Sequence, residues 1–176
     1  EMCIRDRGNW KVFVSYKIKN ISKENFKNYG DLITTSNKNY ESINKDTTDS
    51  FFDLANIQII GDDKRSRLNI FQAKKRNFPL KINMLENHPF SSQVFLPFNA
   101  TGFLVLVAPI GNKPKIDLIE IFKVSGGDGI NFNPKVWHFP LISLENEKYI
   151  TIDKKDADNN IETVSYTHLR AHETDI

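Results

Sequence analysis

Glu86 and His88 lie two residues apart in Met84-Leu-Glu86-Asn-His88-Pro89. On an extended chain that spacing sends a carboxylate and an imidazole to the same face. Gln93 opens the next apolar run, across a turn formed by Pro89 to Ser92, so an amide can converge with them. A second segment, Gly126-Gly-Asp-Gly129-Ile-Asn131-Phe-Asn-Pro134-Lys-Val-Trp137-His138-Phe-Pro140, delivers another imidazole beside an indole. The prolines on either side stiffen its presentation. Carboxylate, imidazole and amide groups gathered in this way can move protons or hold a cation.

Each segment also has a plain structural reading. A histidine next to Pro or Trp is more often a hydrogen-bonded part of the core than a ligand. Gly126-Gly-Asp-Gly129 lacks the strand and helix context and the Lys-Ser/Thr pair of a phosphate loop, so it reads as a tight turn. Asn20-Ile-Ser22 and Asn99-Ala-Thr101 match glycosylation sequons, which carry weight only in a secreted chain. Lys74-Lys75-Arg76 reads as a solvated strand end. There is no Gly-x-Ser-x-Gly elbow and no cysteine placed as a nucleophile, so acyl-enzyme chemistry is not indicated.

The elements that must position these groups are short strands. From Phe51 onward, apolar runs alternate with turn signals, the rhythm of a barrel or sandwich. Strands are predicted over 51–60, 67–74, 80–87, 93–98, 103–108, 118–123, 129–132 and 148–153. Residues 117–122 read equally as one or two helical turns, because six residues do not separate the two periods. Ser22 to Tyr29 reads as a short helix, with Ser22 as N-cap and Gly30 as a left-handed stop. Residues 10–18 read as a leading strand or an extended non-native leader, and the polar stretch 37–50 as a loop.

The chain has 176 residues, room for one domain with a real core. Thirteen Phe against two Met and one Cys favour a ring-rich sheet core over a helical bundle. Lys and Arg number 24 against 22 Asp and Glu, a net charge of +2, which is no footprint for nucleic acid. The best apolar run, Gly102 to Ile110, is strand-sized, so no membrane span is expected. A single cysteine cannot form an internal disulfide, and no signal-peptide pattern opens the chain, so the expected compartment is the cytoplasm. Both ends, 1–9 and 165–176, resemble translated sequencing-adapter read-through and are expected to be non-native. Setting them aside removes Cys3 and the His168/His172 pair, whose spacing would suit a metal on a helix, and leaves His88 and His138.

Taken together, several segments resemble the ureidoglycolate lyase family in order and spacing. They are Ile21-Ser-Lys-Glu-Asn-Phe26-Lys-Asn-Tyr-Gly30-Asp-Leu-Ile33, Ile43-Asn44, Asp53-Leu-Ala55 and Arg67-Leu-Asn-Ile-Phe71, then the two most specific. The latter are Leu85-Glu86-Asn-His88-Pro89 with Ser92-Gln93-Val-Phe-Leu-Pro97, and Gly129-Ile-Asn131-Phe with Val136-Trp137-His138. Asp153 and Asn159-Asn160-Ile161-Glu162 are similar to the family's last strand and acidic tail. The resemblance covers a domain of residues 17–164.

It implies a mainly β fold, a single cupin-like β-barrel with a short N-terminal helix. The implied activity is cleavage of ureidoglycolate to glyoxylate and urea, as part of purine and allantoin breakdown. The alternatives are a ureidoglycolate amidohydrolase and a non-catalytic cupin that binds a small carboxylate. Within the lyase reading Glu86, His88 and His138 are the catalytic candidates. Arg67, Asn69, Gln93 and Trp137 are the substrate-binding candidates, with Arg67 as a carboxylate clamp and Trp137 as an apolar wall. A divalent metal such as nickel could be held by Glu86, His88, Gln93 and His138. A homodimer is the implied assembly and a small ureide the implied partner. The chain departs from the family pattern at Asn87, Lys135, Phe139 and Ile161, where Arg, Gly, His and Cys are usual. The missing cation and imidazole are expected to bear on the pocket.

Overall fold

The computed structural model describes the backbone of residues 2–6, 9–13, 16–155 and 159–171, and side chains within 16–155 and 159–166. In chain order the elements begin with β1 (Met2–Asp6), β2 (Asn9–Phe13), β3 (Ile18–Asn20), α1 (Lys23–Phe26), β4 (Gly30–Ile33), β5 (Glu41–Ile43) and β6 (Thr48–Ser50). Next come β7 (Ser66–Ala73), β8 (Leu80–Asn87), β9 (Gln93–Pro97), β10 (Phe103–Ala108), a 3-10 turn (Ile116–Leu118) and β11 (Glu120–Val124). β12 (Gly129–Phe132), β13 (Trp137–His138), β14 (Ile142–Ser143), β15 (Glu147–Lys154) and β16 (Glu162–Ala171) complete the chain. The protein is mainly β, as the strand rhythm implies.

Two sheets dominate. One runs β16-β8-β13-β10-β11-β3, with β14 also paired to β10, and the other runs β4-β12-β9-β15-β7. Strand alternation explains how they meet. On β10, Phe103, Val105 and Val107 point to one side and pack with Phe95, Ile130, Phe132 and Tyr149 of the second sheet. Leu104, Leu106 and Ala108 point the other way, into a separate cluster with Trp137, Phe139 and Ile142. The first sheet is therefore apolar on both faces, which is why β10 reads as an unbroken apolar run. No ladder among the described residues joins the two sheets; side chains between them complete the cupin-like arrangement.

The helix begins where predicted and ends sooner. The Ser22 hydroxyl accepts the Asn25 N–H at 3.2 Å, and the Asn25 side chain accepts the Ser22 N–H at 2.8 Å. This reciprocal cap starts a single turn that presents Phe26 to Phe122 and Phe132. Burying Phe26 completely contributes on the order of 2 kcal/mol. Gly30 is no helix stop. It opens β4, and a Cβ there would lie 1.9 Å from the Asn131 carbonyl oxygen, so glycine is required by the close approach of β4 to β12.

Two further expectations are corrected. Residues 51–60 form no strand; they run as a strap outside the second sheet, with a single bridge from Ile59 to Ser91. Side chains pin the strap: Ser92 Oγ accepts the Gln58 N–H at 2.9 Å, Asp31 accepts the Asn56 N–H at 2.9 Å, and Asn131 donates to the Asn56 carbonyl at 3.0 Å. Within 37–50 the polar residues do hold turns, but β5 and β6 flank them as a hairpin, with Asn44, Lys45 and Asp46 at positive φ. Its strands are almost wholly exposed, so no apolar alternation marks them. Residues 117–122 resolve into both readings, a 3-10 turn and then a strand. The leading strand expected over 10–18 corresponds to β2 and β3, and residues 14–15 lie outside the described residues. At the two ends, β1 pairs with β2, and β16 continues against β8 to Ala171. Residues 1, 7–8 and 172–176, including His172, lie outside the described residues. No helix among the described residues is long and apolar enough to cross a membrane.

Candidate active site

β8 carries Glu86 on the face turned to the second sheet and releases His88 just beyond its end. β13 carries His138, whose Cα partner on β8 is Glu86, so the two side chains share that face. Candidate ligand atoms of Glu86, His88 and His138 all lie within 4.8 Å of one another. The imidazole rings are 5.4 Å apart, and His138 Nε2 stands 3.7 Å from Glu86 Oε1. Phe132 of the second sheet stacks on His138 at 4.4 Å and 14°, fixing the ring plane. The two segments singled out in the sequence thus meet.

The hydrogen bonds of the two imidazoles decide their chemistry. His88 Nδ1 lies 2.6 Å from the Asn160 carbonyl, and His138 Nδ1 lies 3.0 Å from the Val136 carbonyl. A carbonyl only accepts, so Nδ1 carries the proton in both rings and each Nε2 is a bare lone pair. Both Nε2 atoms are buried and without a hydrogen-bond partner. Burial pushes the His138 pKa down to about 3, with the neighbouring His88 adding to the shift. Burial also lowers that of His88, partly offset by the Asn160 carbonyl, the Asp153 charge and the Gln93 side chain. Both rings are neutral at neutral pH. Burial raises the Glu86 pKa, and no described hydrogen-bond donor offsets it.

Two neutral imidazole lone pairs and one carboxylate form a group that can hold a metal ion, each ring being oriented from behind by a backbone carbonyl. A cavity of about 480 Å³ opens onto Glu86 and Gln93, walled by Phe71, Phe95, Pro140 and Leu141. A larger hollow of about 700 Å³ lies beside Glu147; no imidazole lines either space, but Glu86 and Gln93 connect the smaller one to the imidazole pair. Size does not choose the site; unsatisfied polar atoms do.

The remaining candidates divide. Gln93 is 5% exposed, with its Oε1 buried and unpartnered. Arg67 and Asn69 sit on the same inner face of β7, away from the cavity wall. Asp153 opposes Arg67 on β15 and takes its guanidinium in two bonds, Nε–Oδ1 at 2.7 Å and Nη2–Oδ2 at 3.2 Å. Since Ile152 pairs with Val94, Asp153 falls beside Gln93 and links Arg67 to the site. The expected role of Trp137 as a wall is corrected. It lies on the opposite face of β13 from His138, 1% exposed in the outer cluster, with its indole N–H on the Gly111 carbonyl at 2.8 Å. Neighbours in a strand point apart, so Trp137 and His138 cannot share one pocket face. Sequence reading missed Phe132, Asp153 and Asn160. Phe132 and Asp153 could have been found from strand alternation, while Asn160 acts chiefly through its backbone and leaves no pattern.

Comparison with known proteins follows the same line. The family model described as ureidoglycolate lyase matches residues 14–172. A ureidoglycolate lyase of Pseudomonas aeruginosa (strain LESB58) is 35% identical over 152 residues, covering 86% of this chain and 90% of that protein. A second, from Pseudomonas putida (strain ATCC 700007 / F1), is 32% identical over 151 residues, covering 85% and 90%. The chain belongs to the ureidoglycolate lyase family.

The departures from the pattern of the ureidoglycolate lyase family look different in three dimensions. Asn87 points away from Glu86 and His88 and donates to Glu162 of β16 at 2.9 Å. Phe139 packs in the outer cluster beneath the Arg76 guanidinium. Neither replacement faces the imidazole pair, which corrects the expectation that they bear on the pocket. Lys135 has φ 67°, the left-handed region, which accounts for glycine being usual there. Its N–H donates to the His88 carbonyl at 3.0 Å, so this turn backs the site. Ile161 is 45% exposed just before β16.

Proposed function

We propose that this chain cleaves ureidoglycolate to glyoxylate and urea, with Glu86, His88 and His138 handling the protons. One observation carries the reading: two neutral imidazoles with bare Nε2 atoms meet a carboxylate of raised pKa within 4.8 Å at an inter-sheet cavity. The substrate carbon bears a carboxylate, a hydroxyl and a ureido nitrogen. Breaking the C–N bond requires a base for the hydroxyl proton and an acid for the departing nitrogen.

His88 is the better base, because His138 is held so far down. Its Nε2 takes the hydroxyl proton, the oxygen electrons form the carbonyl, and the C–N pair leaves with urea. Glu86, its pKa raised by burial, is the acid that gives that nitrogen its proton. Proton return from His88 to Glu86 resets the site, so the cycle consumes none. His138 orients Glu86 from behind, its Nε2 3.7 Å from Oε1. Gln93 Oε1 accepts from the ureido N–H groups. Arg67, held flat by Asp153, attracts the carboxylate with Asn69 beside it.

The unpartnered Nε2 atoms favour a second role for the same residues. Glu86, His88 and His138, with Gln93 beside them, would hold a divalent cation such as nickel, which would polarise the substrate hydroxyl and lower its pKa.

Purified protein incubated with ureidoglycolate should release urea and glyoxylate in equal amounts. Ammonia as the main product would make it an amidohydrolase, and binding without turnover a non-catalytic cupin. Elemental analysis before and after chelation separates a cation-holding triad from a proton-transfer one. We place the chain in the cytoplasm, in allantoin breakdown, as a homodimer. Cell fractionation and sedimentation test location and assembly; a particulate or monomeric protein would refute them.

A further inference from the structure

Asn160 lies in neither sequence segment that supplies the catalytic candidates, yet three of its groups reach the His88 turn. It is 1% exposed, immediately before Ile161 and β16. Its backbone carbonyl takes the His88 Nδ1 proton at 2.6 Å. Its side chain grips the turn that follows: Oδ1 accepts the Phe90 N–H at 2.8 Å, and Nδ2 donates to Ser91 Oγ at 2.8 Å. Ser91 is fully buried, and its Oγ also receives the Lys154 N–H at 3.3 Å. Behind His88, the Lys135 N–H holds the histidine's own carbonyl at 3.0 Å. The ring and the backbone of His88 are therefore each held, by Asn160 and by Lys135.

We infer that Asn160 is a positioning residue, holding its carbonyl against His88 Nδ1 so that His88 is a single tautomer whose bare Nε2 stays in the cluster with Glu86 and His138. The side-chain chemistry explains why the residue is Asn. One short group must accept from Phe90 and donate to Ser91 through two separate atoms, which the asparagine amide supplies as Oδ1 and Nδ2. Aspartate brings no N–H, alanine brings neither group, and glutamine is one methylene too long. Without the grip, the carbonyl is free to rotate from Nδ1. The proton then distributes between the ring nitrogens, and Nε2 loses its lone pair for part of the time.

This inference rests on the reading of His88 as the base, and the test separates the two. Long-range proton–nitrogen NMR of protein carrying ¹⁵N-histidine reports each tautomer whether or not the protein turns over. Wild-type His88 should show one tautomer, protonated at Nδ1. In Asn160→Ala the two nitrogens should move to averaged shifts, and kcat should fall about tenfold or more with KM changed less than about threefold. A single Nδ1-protonated His88 with kcat within about twofold of wild type would overturn the inference, even if the melting temperature fell. If Asn160→Ala does not fold, Ser91→Ala carries the test, since it removes the partner of Nδ2, together with the acceptor of the Lys154 N–H, and leaves the Asn160 carbonyl and Oδ1 in place. A partly averaged His88 spectrum with lowered kcat supports the inference, and an unchanged spectrum overturns it. A wild-type protein that shows the single tautomer but never cleaves ureidoglycolate would sink the reading of His88 as base and leave the role of Asn160 standing.

Discussion

Glu86 and Glu147 are both carboxylates drawn out of water, and the fold treats them in opposite ways. Glu147 is 3% exposed, the more buried of the two, yet its pKa is lowered. Burial alone would raise it, but the Thr101 hydroxyl, the Lys148 N–H at 2.7 Å and the Asn99 amide at 3.0 Å outweigh that cost. Glu86 has a side chain 17% exposed and no such donors, only an imidazole nitrogen 3.7 Å away, and its pKa is raised. The supply of donors separates a carboxylate that ties a loop to a strand from one poised to exchange a proton.

Substitution at the two positions gives the sharpest way to break this contrast. Glu86→Gln keeps the shape and removes the titrating group, so turnover should fall about 100-fold or more while the melting temperature holds. Turnover near wild type would remove Glu86 from the chemistry. Glu147→Gln should do the reverse. It keeps a carbonyl oxygen for the Asn99 and Lys148 donors but removes the charge and turns an –NH2 to the Thr101 hydroxyl, and should cost on the order of 1 kcal/mol in chemical denaturation, with turnover within about twofold. A large loss of turnover without loss of stability would show that Glu147 is no mere tie.

The same reasoning extends to His138, which like Glu86 is buried without a partner on its reactive atom. Its folded pKa lies at about 3, below the reference 6.5, so its contribution to stability is full above pH 6.5 and is lost as pH falls toward 3. Glu86 acts with opposite sign: its raised pKa stabilises below 4.5 and that contribution fades at higher pH. Between pH 7 and 5 the His138 contribution by itself should fall by on the order of 1–2 kcal/mol. Thermal melts of wild type and His138→Gln over that range check it; equal pH slopes would contradict it. The smallest expected effect is at the turn behind His88. Lys135→Gly should relieve the left-handed backbone and add about 1 kcal/mol of stability without changing turnover. A destabilised variant would mean that the Lys135 side chain contributes more than its backbone strain costs.

Much of the scaffold was legible in the residues. β8, β10 and β12 occupy the predicted spans 80–87, 103–108 and 129–132 because each is bounded by turn residues and rich in apolar groups. The Ser22 cap was legible too, since hydroxyl and amide stand at the spacing a reciprocal cap needs. The strap at 51–60 was not, because an apolar run looks the same whether its backbone pairs in a ladder or is held by side chains such as Ser92 and Asn131. Trp137 was misplaced for a simpler reason. Adjacency along the sequence was read as adjacency in space, although a strand sends neighbours to opposite faces.

For the site, the sequence by itself determined the residue types and their phase: Glu86 and His88 on one face, Gln93 beyond a turn, and a second imidazole 50 positions on. It also determined that strands would present them, since alternation and turn residues are local properties. Only the tertiary structure decided that β8 and β13 are neighbours in register. It alone decided that carbonyls from Asn160 and Val136 leave both Nε2 atoms bare. Those outcomes depend on backbone groups every residue shares, supplied from distant parts of the chain, and no residue type announces where its carbonyl will point.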